Sequence, residues 1–165
     1  MPQTFRRHFL KEKEAGQLLL SFSQKLKTSP EQLFGTKVHV ESTETQAGKI
    51  FLVNGKPLLA SYKNALIPTL IFSEALNRLP KIVVNMGAVP HVCNGADVMA
   101  PGVVQIEGIF QADELLLVVD ERHRKPLAIG RALFNSKDME SLKQGKIIKN
   151  LHHVGDKLWK LLKQF

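Results

Sequence analysis

Apolar positions recur at two periods along this 165-residue chain, and the switches between them outline its elements. Leu18, Leu19, Phe22 and Leu26 fall three and four apart. That spacing predicts a helix over Lys11–Lys27 with one apolar face, weakened slightly by Gly16. Phe5–Leu10, ahead of it, mixes basic and apolar residues and reads as a short edge strand. Ser29-Pro30-Glu31 predicts a second helical turn, with Ser29 as cap and proline at its first position, ended by Gly35. Lys37–Thr45 then alternates, Val38 and Val40 against His39 and Glu41, which is strand period. Thr43–Gly48 is a polar loop. Lys49–Val53 and Lys56–Tyr62 flank Asn54-Gly55, a strong hairpin signal. Three antiparallel strands are therefore expected after the helix. Pro68-Thr69 opens a further helix to about Leu79, and Pro80 closes it.

A new apolar strand begins at Lys81 and runs to Met86, so a domain boundary is expected near Pro80, giving units 1–80 and 81–165. A short helix over Ala88–Asn94 follows, then strands over Val103–Phe110 and Glu114–Val119. The five consecutive apolar residues Leu115–Val119 suit a buried strand. A charged turn, Asp120–Lys125, leads to a strand over Pro126–Phe134. A helix capped by Ser136 ends at Gly145. Lys146–Val154 is a last strand and Asp156–Phe165 a last helix. Periodicity gives an α+β fold.

Between the strand at Lys81 and the strand at Val103 lies a stretch carrying Gly87, Pro90, Gly95, Pro101 and Gly102. Such a loop can simply turn the chain, and it can also bare backbone N–H groups to a phosphate backbone where no Cβ intervenes. Pro101-Gly102 fits a type II turn with Gly102 at positive φ, and Asp97 is placed to accept hydrogen bonds from the turn amides. Charge sharpens the picture. The chain carries 23 Lys+Arg against 15 Asp+Glu, a formal net charge of +8, which favours an anionic partner. Residues 137–165 alone hold seven lysines against three acids. Arg131, Lys143, Lys146, Lys149, Lys157, Lys160 and Lys163 are candidates for phosphate contact, or a solvated face.

Other chemistry finds little support. His91 and Cys93, two apart without a second pair, make a poor zinc site. Cys93, the single cysteine, permits no internal disulfide and reads as a small buried hydrophobe, which fits a reducing cytosol. His152 and His153, adjacent on a strand, point to opposite faces, one packed and one exposed. Trp159, Tyr62 and Phe72 read as core, and aromatic content of 7% argues against an aromatic stacking sheet. Asp120, Glu121 and His123 share a charged turn in which solvated charge is the default. No nucleophile elbow or phosphate loop is present. No apolar run approaches membrane-spanning length, and the N-terminus lacks an apolar signal core.

Three blocks carry a resemblance: Asn94-Gly-Ala-Asp-Val-Met-Ala-Pro-Gly-Val103, Pro126-Leu-Ala-Ile-Gly-Arg-Ala132, and Gly145-Lys-Ile-Ile-Lys-Asn-Leu-His-His-Val154 followed by Asp156-Lys-Leu-Trp159. In this order they resemble the PUA domain, an RNA-binding module. The whole chain is similar to the malignant T-cell-amplified-sequence family and its archaeal relatives, the N-terminal half less sharply, through Phe51–Pro57 and Pro68-Thr69. The resemblance implies a small N-terminal α/β pre-PUA domain followed by a C-terminal PUA β-pseudobarrel. It implies RNA contact at Gly95, Ala96, Asp97, Met99, Pro101, Gly102, Arg131, Lys146, Lys149 and His152, with no catalytic residue, cofactor or metal. The implied role is that of a cytoplasmic, non-enzymatic factor that binds rRNA or tRNA at the small ribosomal subunit, in initiation, reinitiation or recycling. It also leaves room for a partner bearing an SUI-type domain. An RNA-positioning subunit of a modification or ribosome-biogenesis complex, and a protein–protein adaptor, are the alternatives.

Overall fold

The computed structural model describes residues 4–165. The chain divides into two compact units: residues up to Arg78 together with Lys160–Phe165, and Leu79–Trp159. Among the described residues no helix is long and apolar enough to cross a membrane.

In the first unit β1 (His8–Phe9) leads into α1 (Glu12–Lys25), whose buried face is Leu19 and Phe22, with Leu26 just beyond it. α2 (Pro30–Phe34) starts where Ser29 accepts a hydrogen bond from the Gln32 N–H, and Gly35 ends it at φ 85°. A meander follows: β2 (Val40–Thr45), β3 (Gly48–Val53), β4 (Lys56–Tyr62) and β5 (Ala65–Pro68) form one antiparallel sheet with β1 at its edge. Asn54 and Gly55 both take positive φ, 51° and 85°, as a two-residue type I′ hairpin requires. Asn54 does more than turn. Its side chain accepts from the His39 N–H and donates to the Lys37 carbonyl. This holds Lys37–His39 beside the hairpin as irregular chain, so β2 begins at Val40, later than the alternation predicts. β2 also runs through Thr45, so the polar loop shrinks to a tight turn in which Thr45 Oγ1 bonds Gly48 O and Ala47 N.

The expected helix from Pro68 is corrected. Lys63 and Asn64 sit at φ 51° and 62°, turning β4 back into β5, and only Ser73–Leu76 is helical (α3). Phe22, Phe34 and Phe72 pack together as the aromatic part of this core, with Phe72 and Tyr62 buried as expected.

The second unit is built on a six-stranded sheet: β6 (Lys81–Val84), β7 (Val98–Met99), β8 (Val103–Glu107), β9 (Leu115–Asp120), β10 (Pro126–Ala132) and β11 (Lys146–His153). Its order is β7-β11-β10-β9-β6-β8, antiparallel except for β6 with β9. β7 and β8 are the two edges, yet only the 3₁₀ turn Ala100–Gly102 separates them. A flat sheet of this order would set its edges roughly 24 Å apart at ~4.8 Å per strand. Four residues of chain reach at most about 14 Å. The sheet must therefore curl almost closed, which is the β-pseudobarrel.

β9, buried along almost its whole length, lies centrally. Its core partners include Ile82, Val84, Phe110, Ile147 and Ile148. Gly130 lies where β11 comes closest: a Cβ there would run into the Ile148 side chain. Two short helices complete this unit, α4 (Val89–Val92) and α5 (Ser136–Ser141), and α6 (Lys157–Leu162) follows β11. The cap of α5 is Asn135, not Ser136: the Asn135 side chain accepts from the Asp138 N–H at 2.8 Å. The Asp120 turn is corrected too. Asp120 is buried and accepts the N–H groups of Arg122, His123 and Lys125, so its charge holds the turn together instead of facing water.

Candidate nucleic-acid interface

The site begins with a defect in a strand. Plain alternation would send Lys146 and Lys149 to opposite faces of β11. The register against β7 shifts between Lys146 and Ile148, so Ile147 and Ile148 both turn inward and both lysines face out. Arg131, half-buried on β10, stands opposite Lys149. The result is a row of three cations on neighbouring strands.

Asp97 sits among them. Its Oδ2 lies 2.9 Å from Lys146 Nζ and 3.7 Å from Lys149 Nζ, and its Oδ1 accepts the Asn150 N–H at 2.8 Å. Burial works to raise the Asp97 carboxyl, but the Asn150 amide and the two lysines outweigh it and hold it below the usual carboxylate range. The expectation that Asp97 ties turn amides is therefore refined: it ties the loop to β11. Asn150 completes the tie, its buried Nδ2 donating to Val92 O and Ala96 O at 3.0 Å each.

This clamp leaves an open cleft of about 480 Å³ between α4 and the β7 segment. Ala96, Asp97, Met99, Pro101 and Gly102 line it, so half of the ten expected contact residues meet in one depression. Ala88, Val92 and Val98 add apolar wall, and Asn85 and His91 add polar edge. Met99 is about half exposed. Gly95 lies at φ 93° in the turn leaving α4, against the half-buried His153. Asn85 shapes the other end, its Oδ1 accepting the Ala88 N–H while Glu121 accepts the Met86 N–H.

Two expectations fail here. Gly102 is not at positive φ: it closes the 3₁₀ turn, and no type II turn forms. What requires a small residue is Ala88, whose Cβ would stand 3.2 Å from a Cβ at Gly102. His152 is withdrawn as a contact. Its side chain is fully buried, its Nδ1 2.9 Å from the Asp156 carboxylate, which also accepts the N–H groups of His153 and Trp159 and so caps α6. The expected exposed member of the histidine pair is only half exposed: His153 packs beside Gly95, its Nδ1 2.9 Å from Val154 O. Trp159 is half-buried, less enclosed than expected. Cys93 packs against the core, and burial pushes its thiol up.

His91 and Asn85 were missed as cleft residues. In the sequence His91 reads only as a poor metal ligand, and Asn85 offers no signal, since its place depends on the loop that returns beside it, where its N–H meets Gly102 O. A cleft of this size, apolar in its walls and polar at its edge, can hold a flat ring, while the lysines beside it can reach phosphate.

The sequence matches the PUA domain over residues 80–154 and a domain of unknown function (DUF1947) over residues 6–74. An uncharacterized protein of Methanocaldococcus jannaschii is 40% identical over 130 residues, covering 78% of this chain and 80% of that protein. Translation machinery-associated protein 20 of Eremothecium gossypii is 31% identical over 119 residues, 67% of this chain and 65% of that protein. The match thus spans about two thirds of the fungal relative. The crystal structure of a PUA domain protein from Aeropyrum pernix, in complex with tartrate, aligns with a TM-score of 0.81 at 26% identity, covering 97% of this chain and 92% of that one.

Proposed function

Because this chain belongs to the malignant T-cell-amplified-sequence family of PUA-domain proteins, we propose that it is a non-enzymatic RNA-binding factor of translation, acting at the small ribosomal subunit. The observation that carries this reading is the cleft at α4 with the Arg131, Lys146 and Lys149 row beside it. An apolar-walled depression suits an unstacked base, and cations on neighbouring strands suit the phosphates that flank it. The RNA is rRNA or tRNA, the setting is the cytoplasm, and the step is initiation, reinitiation or recycling, with an SUI-type domain protein as partner.

The test is co-sedimentation of the protein with purified small subunits across a salt series. Four phosphate contacts on single-stranded RNA give a slope of log affinity against log salt of roughly −3. Lys146→Glu combined with Lys149→Glu is expected to abolish co-sedimentation in a folded protein. A flat salt response, or unchanged binding by that double variant, overturns the reading. Association with subunit precursors and not with mature subunits would favour the accessory role in ribosome biogenesis.

A further inference from the structure

The N-terminal unit carries an unexplained exposed aromatic. Residues 6–10 are held firmly along β2: Thr43 Oγ1 donates to the Arg6 carbonyl at 2.8 Å, His8 and Phe9 pair with Ser42 and Glu41, and the Leu10 N–H reaches Val40 O at 2.9 Å. Phe9 is nevertheless 72% exposed, the most exposed of the described phenylalanines. Beside it opens a cleft of about 430 Å³ between β1, the start of α1 and the chain entering β2. Leu10, Ala15, Leu19 and Val38 form its apolar wall, and Thr36 and His39 bring polar groups to it.

Gly16 lines the same cleft. A glycine inside a helix costs stability relative to alanine. Packing does not demand one here, because nothing lies within 4 Å of where its Cβ would stand. Its effect is to keep the wall of the cleft low. Lys11 and Lys37, both exposed, are sequence neighbours of the lining residues Leu10, Glu12, Thr36 and Val38.

We propose that this cleft is a second RNA contact, taking one unstacked base of a single-stranded RNA on the face of Phe9. A solvent-facing aromatic interleaved with cations is the arrangement that binds single strands, the ring stacking on a base and the cations meeting phosphate. The Glu12 carboxylate also lines the cleft. It can accept hydrogen bonds from a base amino group. None of the residues of the α4 cleft takes part. This inference rests on the reading of the protein as an RNA-binding factor but not on the site assigned to it.

The full chain, isotope-labelled, is titrated with a single-stranded decamer of mixed adenosine and cytidine while its amide spectrum is followed. The expected result is two responding sets of amides, one over residues 9–19 and 36–40, the other over 85–102 and 146–150. Phe9→Ala is expected to weaken binding about tenfold, the size of one lost base stack, while Phe9→Tyr restores it. Gly16→Leu is expected to fill the cleft and lose the same factor while its melting temperature holds or rises, since helix propensity improves. Binding lost from a protein at least as stable cannot be ascribed to unfolding. A response confined to 85–102 and 146–150 overturns this proposal and leaves the proposed function standing. A response confined to the first set supports it and removes the α4 cleft as the RNA site. Silence in both sets overturns both, and a first set that answers an acidic peptide but not the RNA makes the cleft a protein dock and overturns the proposal.

Discussion

Asp97 joins two lysines and one backbone amide through a single carboxylate, so its charge state sets both the shape and the field of the candidate interface. Its folded pKa lies below the ordinary carboxylate value that it regains on unfolding. The unfolded chain therefore binds the proton more readily, and stability rises with pH across that window. The contribution is fully present above the ordinary value near 3.8 and is lost as pH falls through the lowered native one. Asp120 and Asp156 are lowered as well, the first chiefly by the His123 N–H, the second against its burial by His152 and the N–H groups of Trp159 and His153, so all three losses come at the acid end. Asp97→Asn keeps an oxygen for the Asn150 N–H and removes the charge between Lys146 and Lys149. It is expected to cost about 1 kcal/mol at pH 7, the size of a partly exposed pair. It should also narrow the stability gap between pH 7 and pH 2.5 in urea unfolding, and tighten RNA binding at low salt. An unchanged gap would mean that this carboxylate is not lowered in the folded chain.

At the scale of elements, what was legible in the sequence was local. Asn54-Gly55 announces its hairpin because both residues accept positive φ cheaply. Lys63-Asn64 adopts the same kind of turn without a glycine, so the pattern gives no strand at Ala65–Ile67, and Pro68-Thr69 reads as the start of a helix where β5 in fact ends. β7 left no trace because it is two residues long and pairs with β11, nearly fifty residues away. The family blocks located the α4 cleft and β11, but not which lysines share a face, since that depends on the register shift at Ile147. Gly102 is the instructive case. Pro101-Gly102 carries the chemistry of a type II turn, yet the link between the edges of the curled sheet is a 3₁₀ turn, and the glycine answers to Ala88 instead. Gly102→Ala is accordingly expected to be destabilising by overpacking, by about 1–3 kcal/mol. Gly102→Asn gains nothing from its tolerance of positive φ and also narrows the cleft. Ala88→Gly in the same chain should recover much of the alanine variant's loss, read as a coupling in a double-mutant cycle of urea midpoints. Additive losses would place the need for glycine elsewhere.

At the scale of the molecule, charge is shared and cores are not. Residues 1–80 hold 11 Lys+Arg against 6 Asp+Glu and residues 81–165 hold 12 against 9, so neither half is a neutral carrier for a basic tail. The curled sheet closes on a core drawn from Ile82 to Ile148, all within Leu79–Trp159, while Lys160–Phe165 belongs with the N-terminal unit. There Phe165 stacks on Phe5 at 5.1 Å and lies under the Arg7 guanidinium. We propose that Leu79–Trp159 is the independent folding unit, and that the starting residue matters. Pro80 O accepts the Leu117 N–H at 2.9 Å, and Gly108 lies close against the Pro80 ring. A fragment cut at Lys81 orphans an amide of the central strand β9, and an unpaired buried N–H costs about 1–3 kcal/mol. The fragment Leu79–Trp159 is therefore expected to melt in one cooperative transition by circular dichroism. The fragment beginning at Lys81 should melt lower by several degrees, because for a domain of this length about 1 kcal/mol corresponds to roughly 4–8 °C. Extending the longer fragment to Phe165 should leave its melting temperature unchanged, since the added residues have lost the ring of Phe5 and the cation of Arg7. A rise on that extension would show that the last helix stabilises the curled sheet itself, and the unit would then have to be drawn to include it.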